Sequence, residues 1–106
     1  MNYLPDIYKE FQQQFNEIAR AYDELAVKCH GWGPVDEKTR RLIKLGVAAG
    51  LNSEGGVRSH ARRALEEGIT PDELRHTVLL AFTTAGFPTM IASMKWVNEV
   101  IEKYEK

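Results

Sequence analysis

Two clusters of glycine and proline divide this chain of 106 residues, and the stretches between them carry helical patterns. The clusters are Gly31-Trp32-Gly33-Pro34 and Gly86-Phe87-Pro88, and a weaker break lies at 52–56. Between the breaks, apolar residues recur three or four positions apart, and sustained period-two alternation is nearly absent. Helices joined by short connections predict an all-α fold, a bundle of about five helices in a single domain over 1–106.

The predicted helices are amphipathic at the two ends of the chain and apolar on most sides in the middle. We expect helix one over 5–29, helix two over 36–51, helix three over 55–67, helix four over 70–85 and helix five from 88 to the end. The apolar stripe of helix one consists of Leu4, Ile7, Phe11, Phe15, Ile18, Tyr22 and Leu25. Such a stripe is the face that a helix buries.

Local signals mark where the middle helices begin and end. Asp36 is expected to cap helix two. Gly68 is expected to take the left-handed conformation that ends helix three. Thr70, Pro71 and Glu73 then form the pattern of a capping box with proline in the first turn, which predicts the start of helix four.

Helices two and four carry more apolar surface than one small domain is expected to cover. Both are apolar on nearly every side, and helix two also contains small residues that would let another backbone come close. We therefore expect a homo-oligomer with an interface built from these two helices. The alternative is that both helices lie at the centre of a monomeric bundle.

Bulk composition argues against several classes of protein. A formal net charge of −1 gives no field directed at nucleic acid or an anionic membrane. No apolar run approaches the length of a membrane span, and the first residues lack the pattern of a signal peptide. A single cysteine, Cys29, predicts no internal disulfide and, at this spacing, no zinc site. The default expectation is a cytoplasmic protein that binds neither nucleic acid nor membrane.

Four signals in a fixed order lie between 36 and 98. They are Asp36-Glu37-Lys38-Thr39-Arg40-Arg41-Leu42-Ile43, Arg58-Ser59-His60-Ala61-Arg62-Arg63-Ala64, Gly68-Ile69-Thr70-Pro71-Asp72-Glu73-Leu74 and Ala85-Gly86-Phe87-Pro88. In order and spacing they resemble the carboxymuconolactone decarboxylase family, which includes the alkyl hydroperoxidase D-like proteins. The resemblance implies an all-α, alkyl hydroperoxidase D-like fold that assembles as a homo-trimer or homo-hexamer.

One branch of that family resembles a thiol peroxidase, and this chain departs from its pattern. The branch carries a Cys-x-x-Cys pair four residues before a histidine, and a glutamate about three helical turns before the first cysteine. Alignment on His60 puts Ser53 and Gly56 at the sulfur positions and Arg41 at the glutamate position. Because the chemistry needs two sulfurs, we expect no dithiol peroxidase activity.

The decarboxylase branch keeps the arginine–histidine segment without the sulfurs. The resemblance implies a lyase that releases CO2 from a small, anionic, carboxylated substrate without a cofactor or metal. His60 is then the candidate acid or base, since imidazole titrates near neutral pH. Arg41, Arg58 and Arg62 are candidate cations for the substrate carboxylates.

Each assignment has a structural alternative. His60 is also the kind of residue that holds two helices together by hydrogen bonds. Arg58 and Arg62 are equally ordinary surface residues paired with Glu66 or Glu67, and Arg41 is equally a surface residue on the first turn of helix two. For the whole protein, the alternatives are a catalytically inert oligomer that binds a small ligand or serves a structural role, and a residual peroxidase that uses Cys29.

Overall fold

The computed structural model describes residues 6–106, and helices are the only regular elements in that range. In chain order they are α1 (Asp6–Gln14), α2 (Asn16–Gly31), α3 (Glu37–Gly50), α4 (Glu54–Glu66), α5 (Pro71–Leu79), α6 (Phe82–Ala85) and α7 (Phe87–Glu105). The predicted all-α fold is confirmed. Five predicted helices become seven segments because helix one is divided at Phe15 and helix four at 80–81. Leu4 and Pro5, at the expected start of helix one, lie outside the described residues.

The chain forms two compact units, one ending at Pro34 and the other running from Val35 to Lys106. The helices α1 and α2 belong to the first unit, and α3 to α7 belong to the second. All four candidate site residues lie in the second unit.

The first unit is a helical hairpin that turns at Phe15. The backbone of Phe15 leaves the helical region, with φ −129° and ψ 55°, and α2 restarts after it. A straight helix would separate Tyr8 from Asp23 by about 22 Å along its axis. Instead, the Tyr8 hydroxyl donates to Oδ1 of Asp23 over 3.4 Å. The prediction of one continuous helix over 5–29 is therefore wrong at this point.

The apolar stripe predicted for helix one remains largely exposed. Ile7 is 71% exposed, and Ile18 and Leu25 are each 60% exposed. Ala19 is the one buried residue in α1 and α2 as described. The helical spacing identifies which face is apolar, but α1 and α2 leave most of that face exposed.

In the second unit, three successive helices begin with a side-chain cap. Asp36 accepts a hydrogen bond from the backbone N–H of Thr39 at the start of α3, and Ser53 caps α4. Thr70 and Glu73 form the complete capping box at the start of α5. These bonds satisfy N–H groups that a helix cannot satisfy internally. Beyond α4, Gly68 has φ +89°, which confirms the predicted left-handed ending.

The core of the second unit lies where α3, α4, α5 and α7 meet. Its fully buried side chains include Leu45, Val57, Leu74, Val78 and Val97. The helix α3 packs on α4 and α5, and both of these pack on α7. Burial of such aliphatic side chains contributes about 1.5–3 kcal/mol each before the cost of ordering the chain is counted.

The helices predicted to be apolar on nearly all sides bury one face and expose the other. Leu45 of α3 and Leu74 of α5 are fully buried, whereas Val47 of α3 is 56% exposed. Leu79 and Leu80, at the end of α5, are also at least half exposed. A single chain therefore uses only part of the apolar surface on these helices.

Candidate functional site

The positions that the resemblance assigns to redox sulfurs form the N-terminal cap of α4. Ser53 precedes the helix, and its Oγ accepts a hydrogen bond from the backbone N–H of Gly56 over 3.3 Å. A Cβ added at Gly56 would lie 3.0 Å from Oγ of Ser53 and 3.1 Å from Cβ of Ala48. This corner of the fold therefore starts a helix and is tightly packed around a glycine.

One turn further along α4, His60 contacts Arg41 of α3, and Arg41 is also held by Glu67, the residue directly after α4. The Nη1 atom of Arg41 lies 2.9 Å from Nδ1 of His60. The Nε and Nη2 atoms of Arg41 donate to Oε1 and Oε2 of Glu67 over 3.1 and 3.0 Å. Arg41 is buried, with 6% of its surface exposed, whereas His60 is partly exposed. We call Arg41, His60 and Glu67 the α3–α4 triad.

Helix geometry explains why these three residues meet. Glu67, the C-cap residue directly after α4, follows His60 by seven positions, which is two helical turns, so both side chains point to about the same side of the helix. The separation along the axis is about 10 Å. Arg41 lies on the first half of α3, which packs against α4, and its long side chain spans the distance between them.

The donor chemistry of arginine fixes how the contact with His60 is made. A guanidinium group has only donors and stays protonated in proteins. Arg41 must therefore donate, and Nδ1 of His60 must accept. The proton of the neutral ring then lies on Nε2. A doubly protonated imidazolium has no acceptor at Nδ1 and would lie beside a second cation, so this arrangement favours the neutral ring.

Arg58 is held by two carboxylates. Its Nε donates to Glu54 over 3.0 Å, and its Nη2 donates to Glu99 of α7 over 2.6 Å. Burial lowers the pKa of the guanidinium, but the hydrogen bonds that it donates to Glu99 and Glu54 outweigh burial and leave the pKa above its usual value. The partners are therefore Glu54 and Glu99, and neither Glu66 nor Glu67.

The structure thus brings two of the four predicted site residues into contact. Arg41 touches His60, while Arg58 lies two positions before His60 on α4 and forms ion pairs of its own. Arg62 follows on the same helix and is buried, with 8% of its surface exposed.

Glu67 is the site residue whose role the sequence did not reveal. The seven-residue spacing from His60 is visible in the sequence and indicates a shared helix face. Its partner Arg41, however, lies 26 positions away on another helix, so only the packing of α3 on α4 reveals the pair.

A separate apolar groove of about 560 Å³ runs between α3 and the segment formed by α5 and α6. Its walls include Ile43 and Gly46 from α3, and His76, Leu80 and Ala81 from the other side. His60, Arg58 and Arg62 do not line it. The groove lies on the same two predicted helices whose apolar surface suggested an interface.

The described residues, 6–106, also bear on metal ions and membranes as partners. Within that range, no set of three or more His, Cys, Asp or Glu side chains is arranged to hold a metal ion. No helix in the described part of the chain combines the length and apolar character needed to span a membrane.

Comparison with known proteins identifies relatives along most of the chain. The model of the carboxymuconolactone decarboxylase family matches residues 14–99. A 4-carboxymuconolactone decarboxylase from Acinetobacter baylyi is 32% identical over 105 residues, which covers 93% of this chain and 69% of that protein. A nitrosuccinic acid decarboxylase from Metarhizium robertsii is 33% identical over 84 residues, covering 70% of this chain and 59% of that protein.

A further relative and a solved structure are also similar to this chain. An uncharacterized protein of Methanocaldococcus jannaschii is 32% identical over 66 residues, which is 62% of either chain. This chain therefore spans between 59% and 69% of the length of these three relatives. A crystal structure of the apo form of a carboxymuconolactone decarboxylase family protein from Legionella pneumophila superposes with a TM-score of 0.81. It is 23% identical and covers 95% of this chain and 89% of its own.

Proposed function

Because this chain belongs to the carboxymuconolactone decarboxylase family, we propose that it is a cofactor-independent carboxy-lyase acting on a small carboxylated lactone or keto acid. It is a member without the redox cysteine pair, since Cys29 is its single cysteine. His60 is the residue that we propose acts on the substrate. Two relatives support this reaction class, because each is named as a decarboxylase of a small acid.

The observation that carries the proposal is the contact between Arg41 and His60. It gives a partly exposed imidazole a fixed orientation on a rigid helix, at the position where the family has its histidine. Orientation by a neighbouring group is what a chemically useful histidine requires.

The reaction sets two tasks for such a residue. The bond to the carboxylate carbon breaks, CO2 leaves, and the electron pair stays on the substrate, where a conjugated carbonyl holds it as an enolate. The carbon that lost CO2 then takes up a proton. Imidazole is suited to both tasks, as an acid or base for the proton and as a hydrogen-bond donor to the enolate oxygen.

The arginines of α4 are proposed to hold the substrate carboxylates. Arg58 lies two positions before His60 and leaves α4 on a different side, toward α7. About a quarter of its side chain is exposed, so a substrate carboxylate could replace Glu54 or Glu99 as its partner. Arg62 is the second candidate on this helix. For Arg41, which is already held by both oxygens of Glu67, we propose a role in orienting His60 in place of the predicted role in substrate binding.

Turnover of 4-carboxymuconolactone tests this proposal directly. We expect the wild type to release CO2 and His60→Ala to lose most of the rate. The control is His76→Ala, which removes an exposed histidine of α5 and should leave the rate unchanged. Equal rates in wild type and His60→Ala would remove His60 from the reaction.

For the thiol alternative, peroxide consumption that is the same in Cys29→Ser as in the wild type would exclude a role for Cys29.

A second candidate function is an inert oligomer that binds a small ligand or serves a structural role. The apolar groove beside α3 and the exposed Val47 and Leu80 favour it, because a second copy of the chain could cover this surface. Light scattering should then report a trimer or a hexamer. A thermal-shift screen with small dicarboxylates separates the two functions, because stabilisation without turnover supports the inert protein.

A cytoplasmic location stays a prediction.

A further inference from the structure

Glu67 holds Arg41 in a single orientation. Its two oxygens accept from Nε and Nη2, which lie on one edge of the guanidinium group. A two-pronged contact of this kind fixes the plane of the group as well as its position. The remaining nitrogen, Nη1, is then directed at Nδ1 of His60.

We propose that Glu67 is a positioning residue that acts on His60 through Arg41 and keeps the ring as the neutral Nε2–H tautomer. The inference deepens the proposed lyase function and rests on it for its chemical meaning. Glu67 itself touches neither His60 nor, in this assignment, the substrate. Arg41 transmits the effect because it can only donate, which leaves Nδ1 as an acceptor.

This tautomer selects between the two tasks that a histidine could perform. A neutral ring with its hydrogen on Nε2 donates a hydrogen bond to the carbonyl oxygen on which the electron pair settles as CO2 leaves. His60 keeps its proton throughout this step. The carbon that lost CO2 takes its proton from water, and the hydroxide that remains carries the negative charge of the original carboxylate. His60 then acts as a fixed electrophile and no longer needs to act as a general acid or base.

The geometry also explains why a partner for the arginine is needed. Without Glu67, the guanidinium of Arg41 would be a buried charge without its carboxylate and would tend to reorient toward water. The contact with His60 would be lost along with the carboxylate. The ring could then place its proton on either nitrogen.

The test is the tautomer of His60 in the full chain, read by nitrogen NMR of protein labelled at its three histidines. The His60→Ala variant assigns the signal. We expect a protonated Nε2 and a bare Nδ1 near neutral pH in the wild type, and a mixture of tautomers in Glu67→Gln. The matched control is Glu66→Gln, since Glu66 is the exposed neighbour of Glu67 and its replacement should leave the signal unchanged.

A second variant guards against a folding defect. Arg41→Lys keeps the positive charge and loses the two-pronged contact. It should shift the His60 signal in the same direction as Glu67→Gln, with the helical circular dichroism retained. A wild-type ring protonated on Nδ1, or an unchanged tautomer in both variants, would overturn the proposal.

Kinetics give a readout that a purely structural role would not move. In the lyase assay, Glu67→Gln should lower kcat toward the value of His60→Ala and change KM little, while Glu66→Gln keeps the wild-type values. If the tautomer is as expected in the wild type and shifts in both variants, but the wild type turns over no lactone or keto acid, the lyase function is wrong and the positioning of His60 by Glu67 stands. If turnover is normal and the tautomer differs, the positioning is wrong and the lyase function stands.

Discussion

The two units of this chain use similar helical patterns with opposite results. In the second unit, helices that carry an apolar face meet one another, and Leu74 of α5 is fully buried. In the first unit, α1 and α2 carry an equally regular stripe, yet Leu25 is 60% exposed. The comparison teaches that the spacing of apolar residues identifies a face, whereas burial depends on a second surface that the spacing does not specify.

The two units also differ in how their helices begin. The helices α3, α4 and α5 each start with a side chain that accepts a backbone N–H, whereas α2 starts at Phe15 without such a bond. Three helices of the second unit therefore combine a shared core with side-chain caps, whereas α2 of the first unit has no side-chain cap at its start.

The largest expected difference in stability is between two leucine-to-alanine substitutions, one in each unit. Leu74→Ala should lower the free energy of unfolding by about 2–5 kcal/mol, because it removes buried contacts and leaves a cavity. Leu25→Ala should change it by less than about 0.5 kcal/mol, because the side chain is mostly in water. Urea denaturation of both variants measures the difference. A large and concentration-dependent loss in Leu25→Ala would break the comparison, since it would mean that another copy of the chain buries the stripe.

An intermediate effect is expected at the start of α5. Thr70→Ala removes the oxygen that accepts from the backbone of Glu73 and should cost about 1 kcal/mol of unfolding free energy. Thr70→Ser keeps a hydroxyl in the same place and should cost much less. The measurement is again denaturant unfolding. Equal losses in the two variants would show that the hydroxyl contributes little and that the side-chain methyl matters instead.

The smallest effect is a pH dependence at the same capping box. A hydrogen bond from Lys38 and one from the backbone of Thr70 lower the pKa of Glu73 from 4.5 to about 2. A carboxylate whose pKa is lowered by folding adds stability above the unfolded value, and that stability is lost as the pH falls from about 4.5 to about 2. Glu73→Gln should flatten this part of the stability curve. Unfolding curves that keep the wild-type slope in the variant would assign the dependence to other carboxylates.

Local features of this fold could be predicted from the sequence, and features that depend on distant partners could not. The capping box at Thr70 and the left-handed ending at Gly68 were predicted because each depends on a few adjacent residues. The division of helix one at Phe15 was missed because no glycine or proline marks it. The exposure of the first unit's apolar stripe could not be predicted, because the spacing of apolar residues does not specify a surface that covers them.

The residues of the candidate site also differ in how far they could be predicted from the sequence. His60 and Arg41 could be singled out through the resemblance to the family, and the structure places them in contact. Glu67 could not be assigned to Arg41, because 26 positions separate them and two helices must pack before they meet. The same holds for Arg58, whose partner Glu99 lies 41 positions away on α7.

The cap formed by Ser53 and Gly56 limits how a dithiol could be introduced at these two positions. Two substitutions are needed, and each is unfavourable when it comes first. Gly56→Cys places a Cβ about 3.0 Å from the serine oxygen, and Ser53→Cys removes that oxygen and with it the cap of α4. Neither single variant has a second sulfur, so no disulfide offsets the lost stability. An engineered cysteine pair at this corner therefore has to be introduced in one step, as a double substitution.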